Sequence, residues 1–248
     1  QLARDLTRAS YFTVAARPEP PMPKAQERMP KAHERTPDTP NLDASGRPLE
    51  LRAVDLDTFL HPKTIALIGA SEQSAKPNTA MTRKFEAWAK VNGAEFYPVH
   101  PKYETVLGHR VYPSLFDVPG DIDLAIVLTG RAVETFEEVL ARKAKFAVIF
   151  AAGFSEVGKE GAALERRLEN LVAEGGVRLL GPNTNLNAFE SFREDLDGPA
   201  IALITQSGHQ GRPVFQGQEI GIRLTHWAPT GNEVDLEFAD FCRHFADQ

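Results

Sequence analysis

Five short turns carry the residues of this chain that are best able to hold a ligand, and each follows a predicted buried strand. They read Ile68-Gly69-Ala70-Ser71, His100-Pro101-Lys102-Tyr103, Ala152-Gly153-Phe154-Ser155, Leu180-Gly181-Pro182-Asn183 and Gln206-Ser207-Gly208-His209. Four of the five contain glycine, which lets a ligand approach the backbone closely. Open parallel sheets bind ligands just beyond the carboxyl ends of their strands. The series therefore predicts a crevice for a long, phosphate-bearing ligand.

The first turn, Gly69-Ala70-Ser71, is predicted to lead into a helix that begins near Asn78. A helix N-terminus offers unpaired backbone N–H groups and the positive end of the helix dipole, and both suit a phosphate. The full dinucleotide pattern G-x-G-x-x-G is absent, because only Gly69 is present. On these residues alone, a tight strand-to-helix turn without a ligand is an equally good interpretation.

The second turn is more informative, because Pro101-Lys102 follows the predicted second strand. Nucleotide-binding folds recognise the ribose at this place, with a carboxylate for an unphosphorylated ribose and a cation for a ribose phosphate. Lys102 therefore favours a ligand with a phosphorylated ribose, such as coenzyme A or NADP. A surface lysine without a binding role is the alternative.

The remaining turns offer polar groups to the rest of a long ligand. Gly153-Phe154 and Asn183 follow the fourth and fifth predicted strands, and the Asn183 carboxamide both donates and accepts, as the amides of a pantetheine arm require. Ser207-Gly208 precedes another predicted helix, where the hydroxyl suits either a phosphate or a helix cap. His209 has no carboxylate near it in sequence, so the sequence gives it no catalytic role. No cysteine or histidine cluster has metal-ligand spacing.

Alternating strand and helix patterns position these turns. Predicted strands cover 64–68, 94–99, 123–128, 146–150 and 177–180, with predicted helices over 79–91, 132–143 and 161–174. Such alternation predicts a parallel sheet with helices on both faces. A second pattern follows, with strands at 200–204 and 222–225 and helices over 209–219 and from 234 onward. Two strands cannot close a core, so we expect this second unit to be completed by further residues or a partner.

The N-terminal residues 1–56 have a different composition. Eight of the 18 prolines lie between Pro18 and Pro48, and the heptad MPKAQER at 22–28 is repeated as MPKAHER at 29–35. Frequent proline interrupts both helices and sheet ladders. This extension is predicted to be a linker or tail, or else an arm that lies on a partner subunit.

Bulk properties exclude several classes of function. A net charge of -6 argues against general nucleic-acid binding, which uses a basic face. The longest apolar runs are far below the ~18 residues that a membrane span needs. Cys242 is the only cysteine, so no internal disulfide can form, and a reducing cytoplasm is the expected location.

Taken together, the motifs resemble the N-terminal part of the NDP-forming acyl-CoA synthetase family, which is related to the succinyl-CoA synthetase α subunit. The resemblance covers residues 60–245. It lies in an opening strand that ends Ile68-Gly69-Ala70-Ser71, in Tyr97-Pro98-Val99-His100-Pro101-Lys102-Tyr103, in Val106-Leu107-Gly108, in Tyr112-Pro113-Ser114-Leu115, in Ala152-Gly153-Phe154-Ser155-Glu156, in Leu180-Gly181-Pro182-Asn183 and in Gln206-Ser207-Gly208.

This resemblance implies a Rossmann-like CoA-binding domain at 57–196 and the start of a flavodoxin-like α/β ligase domain at 197–248. It implies that Gly69, Ala70, Ser71, Pro101 and Lys102 hold CoA phosphates. Gly153, Phe154 and Asn183 would then line the pantetheine end, and the helix at Ser207-Gly208 would face the phosphate of a phosphohistidine. The family makes acyl-CoA from an acid, CoA and a nucleoside triphosphate through that histidine.

Several positions depart from the family pattern. Asn78 stands where glycine is usual, Thr129-Gly130-Arg131 replaces a proline-rich turn, and Thr184-Asn185-Leu186-Asn187 replaces a Cys-Leu-Gly stretch. None of the seven histidines lies in the phosphohistidine motif, so that group is expected outside this chain. Two other functions stay open: a non-catalytic CoA-binding module, and an NADP-dependent redox protein. Expected partners are CoA or acyl-CoA and further subunits, bound through the arm and the second domain, with no nucleic acid and no membrane.

Overall fold

The computed structural model describes residues 54–73 and 76–246, and the predicted arm therefore lies almost wholly outside the described residues. The strands are β1 (Thr64–Ile68), β2 (Glu95–Val99), β3 (Thr105–Val106), β4 (His109–Arg110), β5 (Leu124–Val127), β6 (Phe146–Ile149), β7 (Arg178–Leu180), β8 (Ile201–Thr205) and β9 (Leu224–Pro229). The α-helices are α1 (Asp57–Leu60), α2 (Pro77–Asn92), α3 (Ala132–Ala141), α4 (Lys159–Gly175), α5 (Gly208–Gln216) and α6 (Phe238–Ala246).

The central sheet has five strands in the order β2-β1-β5-β6-β7. Every neighbouring pair in it is parallel, which confirms the predicted Rossmann-like α/β class. The chain passes from β1 to β2 on one side and returns to β5 on the other side of β1. The carboxyl ends of β1 and β5 therefore form the switch point at which such sheets bind ligands.

Alternate strand residues feed two separate cores, since successive side chains of a strand point to opposite faces. Leu67 and Ile126 belong to one core, together with Phe85 of α2, whereas Ala66 and Val127 belong to the other, with Phe136 of α3. Burial on both faces explains why the central strands appear in the sequence as short continuous apolar runs. Helices therefore cover both faces, as the alternation predicts.

The second predicted unit forms a two-stranded parallel sheet of β8 and β9, joined through α5. Several of its predicted boundaries are wrong. The last strand begins at Leu224 rather than 222 and extends to Pro229, because a 3-10 turn occupies Gly217–Ile220 and Gly221 follows it at φ 97°. The helix predicted over 209–219 accordingly ends at Gln216.

The final helix begins at Phe238 and not at 234. Backbone N–H groups of Asn232, Val234 and Leu236 instead donate to the carbonyls of Pro182, Gly181 and Leu179, in that order. Residues 232–236 thus run along the outer edge of β7 and its following turn. This pairing satisfies an edge that would otherwise be open, and it brings the second unit to the carboxyl end of the central sheet.

Candidate functional site

The turn after β1 has its backbone donors already engaged. The N–H groups of Gly69 and Ala70 both donate to the carbonyl of Val99 at the end of β2, at 2.9 and 3.3 Å. The Ser71 N–H donates to the Thr82 hydroxyl at 3.1 Å, and the Ser71 side chain is buried. The turn therefore ties β1 to β2 and α2, and the assignment of its three residues to a phosphate stays a prediction.

Asn78 bridges the switch point. Its Nδ2 donates to the carbonyl of Gly69 at 2.9 Å and to that of Leu128 at 3.2 Å, so one side chain links the ends of β1 and β5. Gly69 has a φ of +90°, and a Cβ there would stand 3.2 Å from the methyl of Thr129. The asparagine that replaces the family's glycine thus closes the gap between two strand ends with hydrogen bonds.

A basic and aromatic cluster lies at the end of β2. The rings of His100 and Tyr103 stack with centroids 4.1 Å apart. Lys76 Nζ lies 3.4 Å from the Tyr103 hydroxyl, and the exposed Lys102 donates its backbone N–H to His100 Nδ1 at 3.1 Å. Pro101 beside it is also exposed. Burial, together with the ammonium groups of Lys76 and Lys102, holds the pKa of His100 below its ordinary value.

The lowered pKa favours the neutral imidazole of His100, whose Nδ1 accepts the Lys102 backbone N–H. The cations of the cluster are then the two lysines. Two ammonium groups beside a flat, stacked pair of rings present a cationic site where the ribose of a nucleotide would lie. Lys102 is one of the predicted site residues, whereas the sequence gives Lys76 no role in the site.

The loop after β6 is folded around its own carboxylates. Glu156 Oε1 accepts the N–H groups of Gly153 and Phe154 at 2.6 and 3.1 Å. Glu165 Oε2 of α4 accepts the hydroxyl of Ser155 at 3.0 Å. Phe154 is buried in the core. Burial alone would raise the pKa of Glu156, but these backbone donors outweigh it and hold the pKa below its ordinary value.

The turn after β7 places Asn183 against the second unit. Asn183 has a φ of 55°, a left-handed conformation that asparagine tolerates well. Its backbone N–H donates to Ala151 O at 3.0 Å, and its Nδ2 donates to Asn232 Oδ1 at 3.2 Å. A Cβ on Gly231 would meet Pro182 O at 2.4 Å, so the two backbones meet at a point that only glycine fits.

A polar cavity of about 370 Å³ opens where these segments meet. Ser207 holds the N-cap position of α5, but its hydroxyl makes no capping hydrogen bond. Gly208 is the first residue of that helix, and the side chain of the adjacent His209 is exposed. The lining consists of Asn183, Asn185, Gln206, Ser207, His209, Gly231 and Asn232.

The structure divides the predicted site residues into two groups. Asn183 and Ser207 line one cavity, and the loop that holds Gly153 and Phe154 joins it through Asn232. Gly69, Ala70, Ser71, Pro101 and Lys102 lie at the ends of β1 and β2. The turns after β2, β1, β6 and β7 lie along one edge of the central sheet, because the carboxyl ends of its parallel strands share that edge. Ser207 follows β8 of the separate β8–β9 sheet and joins this edge through the cavity that it lines with Asn183.

Sequence reasoning missed three residues that shape this edge. Lys76 precedes a helix whose start was placed two residues late, and Glu156 was noted only as part of a motif. Asn232 carried no signal at all, because its partners Glu156 and Asn183 are 76 and 49 residues away. Among the described residues, no group of three or more acidic, cysteine or histidine side chains is arranged to hold a metal ion. No helix of the described part is long and apolar enough to cross a bilayer.

Comparison with known proteins gives consistent matches. A family model described as a CoA binding domain matches residues 63–189. The chain is 32% identical over 201 residues to the α subunit of the ADP-forming acetate–CoA ligase II of Pyrococcus furiosus, covering 77% of this chain and 43% of that protein. It is 34% identical over 201 residues to the ADP-forming acetate–CoA ligase II of Archaeoglobus fulgidus, covering 74% of this chain and 29% of that one.

Solved structures agree with these matches. The apo form of a dinucleotide forming acetyl-coenzyme A synthetase 1 from Ca. Korarchaeum cryptofilum superposes with a TM-score of 0.68 at 26% identity, over 78% of this chain and 44% of that one. A Pyrococcus horikoshii protein has the same TM-score at 32% identity, over 78% and 46%. This chain spans less than half the length of each of these four proteins.

Proposed function

Since the chain belongs to the CoA-binding domain family of the NDP-forming acyl-CoA synthetases, we propose that it is the CoA-binding portion of such a ligase. The complete reaction would join an acid to CoA at the expense of a nucleoside triphosphate. The phosphohistidine of that reaction would be supplied outside this chain. The two ligases compared above, from Pyrococcus furiosus and Archaeoglobus fulgidus, are named for acetate.

One observation carries the proposal: the cationic cluster at the end of β2. The Lys76 ammonium lies beside the Tyr103 ring that stacks on His100, and the charges of both Lys76 and Lys102 act on His100. A free ribose hydroxyl is recognised by a carboxylate at this place, whereas a phosphorylated ribose requires cations. Coenzyme A carries a 3′-phosphate on its ribose, so the donor set fits it. The exposed position of Lys102 leaves its ammonium available for that phosphate.

The other site residues follow the length of the cofactor in this proposal. Gly69, Ala70 and Ser71 shape the floor beneath the pyrophosphate, and the start of α2 supplies the positive dipole end. Gly153, Phe154 and Asn183 lie along the pantetheine arm, where the Asn183 carboxamide matches the amides. Ser207 and Gly208 begin a helix whose N-terminus lines the polar cavity, a place suited to a phosphoryl group.

The domain division and the partners belong to the same proposal. We assign residues 57–196 to the CoA-binding domain and 197–248 to the start of a flavodoxin-like ligase domain, in a cytoplasmic assembly. The Pyrococcus furiosus relative is named as an α subunit, which supports association with at least one further subunit. The N-terminal 1–56 and the second domain are the proposed contacts.

Calorimetric titration with CoA, dephospho-CoA and NADPH tests the proposal. Wild-type protein is expected to bind CoA more tightly than dephospho-CoA, which lacks the 3′-phosphate. Lys102→Ala is expected to weaken CoA binding about ten-fold, as for the loss of a charged hydrogen bond, and to change dephospho-CoA binding by no more than about two-fold. Lys90→Ala, an exposed lysine near the end of α2, is the matched control and should bind both ligands like the wild type.

Two results would contradict parts of this assignment. If Lys102→Ala weakened the binding of CoA and of dephospho-CoA equally, Lys102 would not bind the ribose phosphate. Binding of NADPH without binding of CoA would replace the ligase function with a redox function on the same fold.

A further inference from the structure

The Asn232 side chain contacts three segments that lie far from it along the chain. Its Nδ2 lies 2.5 Å from Glu165 Oε2 and 3.2 Å from Glu156 Oε2. Its Oδ1 lies 3.2 Å from Asn183 Nδ2. The half-buried side chain therefore joins α4, the loop after β6 and the turn after β7.

The chemistry of these partners fixes the orientation of each amide. An ionised carboxylate only accepts hydrogen bonds, so the atom of Asn232 that faces Glu156 and Glu165 must be the NH₂ group. Its carbonyl oxygen then faces Asn183, and that oxygen requires a donor. The NH₂ group of Asn183 must consequently point toward Asn232. The usual ambiguity of asparagine amides is removed at both residues.

Glu156 is well suited to set this orientation. Backbone donors from Gly153 and Phe154 hold its other oxygen, Oε1. The carboxylate is thus anchored on one side and presents a fixed acceptor to Asn232 on the other. In Glu165 a single oxygen does both, since Oε2 accepts the Ser155 hydroxyl as well as the Asn232 NH₂ group.

The end of this chain of hydrogen bonds is a residue of the proposed CoA site. With one N–H of Asn183 committed to Asn232, its second N–H and its carbonyl oxygen remain for a ligand in the cavity that both asparagines line. We propose that Asn232 is a positioning residue, which, oriented by Glu156 and Glu165, presents the Asn183 carboxamide to the pantetheine arm. This inference rests on the proposed function, because it assumes that CoA lies along this edge.

We call the hydrogen bonds from Glu156 and Glu165 through Asn232 to Asn183 the Asn232 relay. Backbone contacts hold the loop at Asn232 in place independently of its side chain. The Asn232 N–H donates to Pro182 O at 3.0 Å. Gly231 is packed tightly against the same carbonyl. Removal of the side chain should therefore leave the loop in place and release only the Asn183 carboxamide.

The test compares CoA with adenosine 3′,5′-bisphosphate, which has the nucleotide phosphates but no pantetheine arm. In calorimetric titrations of the full chain, Asn232→Ala is expected to weaken CoA binding about 3- to 10-fold, the range for one neutral hydrogen bond. Binding of adenosine 3′,5′-bisphosphate should stay within about two-fold of wild type. Asn183→Ala should give the same pattern. The double variant should bind CoA no more weakly than Asn183→Ala alone, because coupled residues are not additive.

Asn92→Ala is the matched control, since the Asn92 Nδ2 donates to Trp88 O at 2.8 Å at the exposed end of α2. Asn232→Asp is the second variant if Asn232→Ala does not fold. It keeps the shape and backbone contacts but turns a donor into an acceptor facing two carboxylates, so CoA binding should again fall with adenosine 3′,5′-bisphosphate unaffected.

Three outcomes overturn the inference. Unchanged CoA binding in Asn232→Ala, equal weakening of both ligands, or additive losses in the double variant would each show that Asn232 does not position Asn183. Failure of wild-type protein to bind CoA at all is a separate result. It would refute the proposed function itself and not the relay alone.

Discussion

Single side chains complete the loops at the carboxyl edge of the sheet by accepting hydrogen bonds from backbone N–H groups. Glu156 takes up the donors of Gly153 and Phe154, and Thr82 takes up that of Ser71. A buried, unpaired N–H group costs free energy, so each of these side chains stabilises the conformation of its loop. The loops are therefore shaped before any ligand arrives.

A substitution at Gly161 tests how closely the loop after β6 packs against α4. Gly161 lies in the first turn of α4, and a Cβ there would stand 1.9 Å from Phe154 O, which also accepts the Val157 N–H. A backbone atom cannot yield as a flexible side chain does. We expect Gly161→Ala to lower the free energy of unfolding by about 1–3 kcal/mol, although alanine normally favours a helix over glycine.

Chemical denaturation measures this effect, with Gly130→Ala as the control. A Cβ on Gly130 meets nothing within 4 Å and its φ is not positive, so that change should be near neutral. A Gly161→Ala protein as stable as the wild type would show that the loop after β6 moves without cost.

At the scale of single residues, the sequence predicts the turns of the site, which are local features. It does not predict the contacts between residues that are far apart along the chain. Glycine turns after apolar runs are local signals, and all five turns do follow strands. The contacts of Asn232 are not local, since its partners lie in segments that only the folded chain brings together. Asn78 was visible as an unusual residue, but its bond to Leu128 spans 50 residues. No spacing rule predicts such pairs.

Among the elements, β1 and β5 are joined at their amino ends by one carboxylate. Asp123 precedes β5, and its Oδ2 accepts the N–H groups of Lys63 and Thr64 at 2.8 and 3.3 Å. Its Oδ1 pairs with Lys145 Nζ at 2.7 Å, before β6. The Thr64 hydroxyl in turn accepts the Asp123 N–H. Three adjacent strands are thus held in register from the end opposite the proposed site.

This arrangement predicts a pH dependence of stability. Burial would raise the pKa of Asp123, but the hydrogen bonds from Lys145, Lys63 and Thr64 outweigh it and lower the pKa. A depressed pKa contributes stability above the unfolded value of about 3.9, and that contribution is lost as the pH falls through the folded value. Asp123→Asn should lower the free energy of unfolding by about 1–3 kcal/mol near pH 7.

The difference between wild type and Asp123→Asn should shrink as the pH is taken below about 4. Denaturant titrations at several pH values measure it, with the exposed Asp121→Asn as control, which should stay within about 0.5 kcal/mol of wild type. A difference that does not change with pH would mean that the Asp123 charge contributes nothing.

The elements themselves were largely predictable, because strands buried on both faces leave continuous apolar runs between helical patterns. The largest boundary errors fall in the second unit. Residues 234–237 carry a helical pattern, but the N–H groups of Val234 and Leu236 are drawn to the edge of β7. The tertiary hydrogen bonds to β7 therefore outweigh the local helix propensity of these residues. The short β3–β4 hairpin was missed because two-residue strands are too brief to show a period.

For the molecule as a whole, the pairing of residues 232–236 with the edge of β7 couples the second unit to the central sheet. Arg178 of β7 and Asp235 form an ion pair at 2.8 Å, with both side chains mostly buried. Asp235 also accepts the Leu179 N–H at 2.8 Å. The β8–β9 sheet is too small to be stable alone. We therefore expect residues 54–246 to unfold as one cooperative unit.

The two tryptophans allow a direct test, because they are the only two in the chain and each reports on one unit. Trp88 lies in α2 against Phe189, and Trp227 lies buried in β9 with its Nε1 donating to Thr205 Oγ1 at 3.0 Å. Trp227→Phe leaves the first reporter and Trp88→Phe leaves the second. In each variant, fluorescence and far-ultraviolet circular dichroism should give coincident denaturation curves, the mark of a two-state transition.

Each substitution shifts the midpoint of its own variant, so the comparison is made between the two probes within one protein. In Trp88→Phe, a Trp227 signal that changes at lower denaturant than the helical signal would show that β8 and β9 detach first. The edge of β7 would then be a loose contact, and the carboxyl edge of the sheet would not hold the Asn232 relay in one geometry. Coincident curves in both variants mean that the cavity between the units is formed whenever the central sheet is folded.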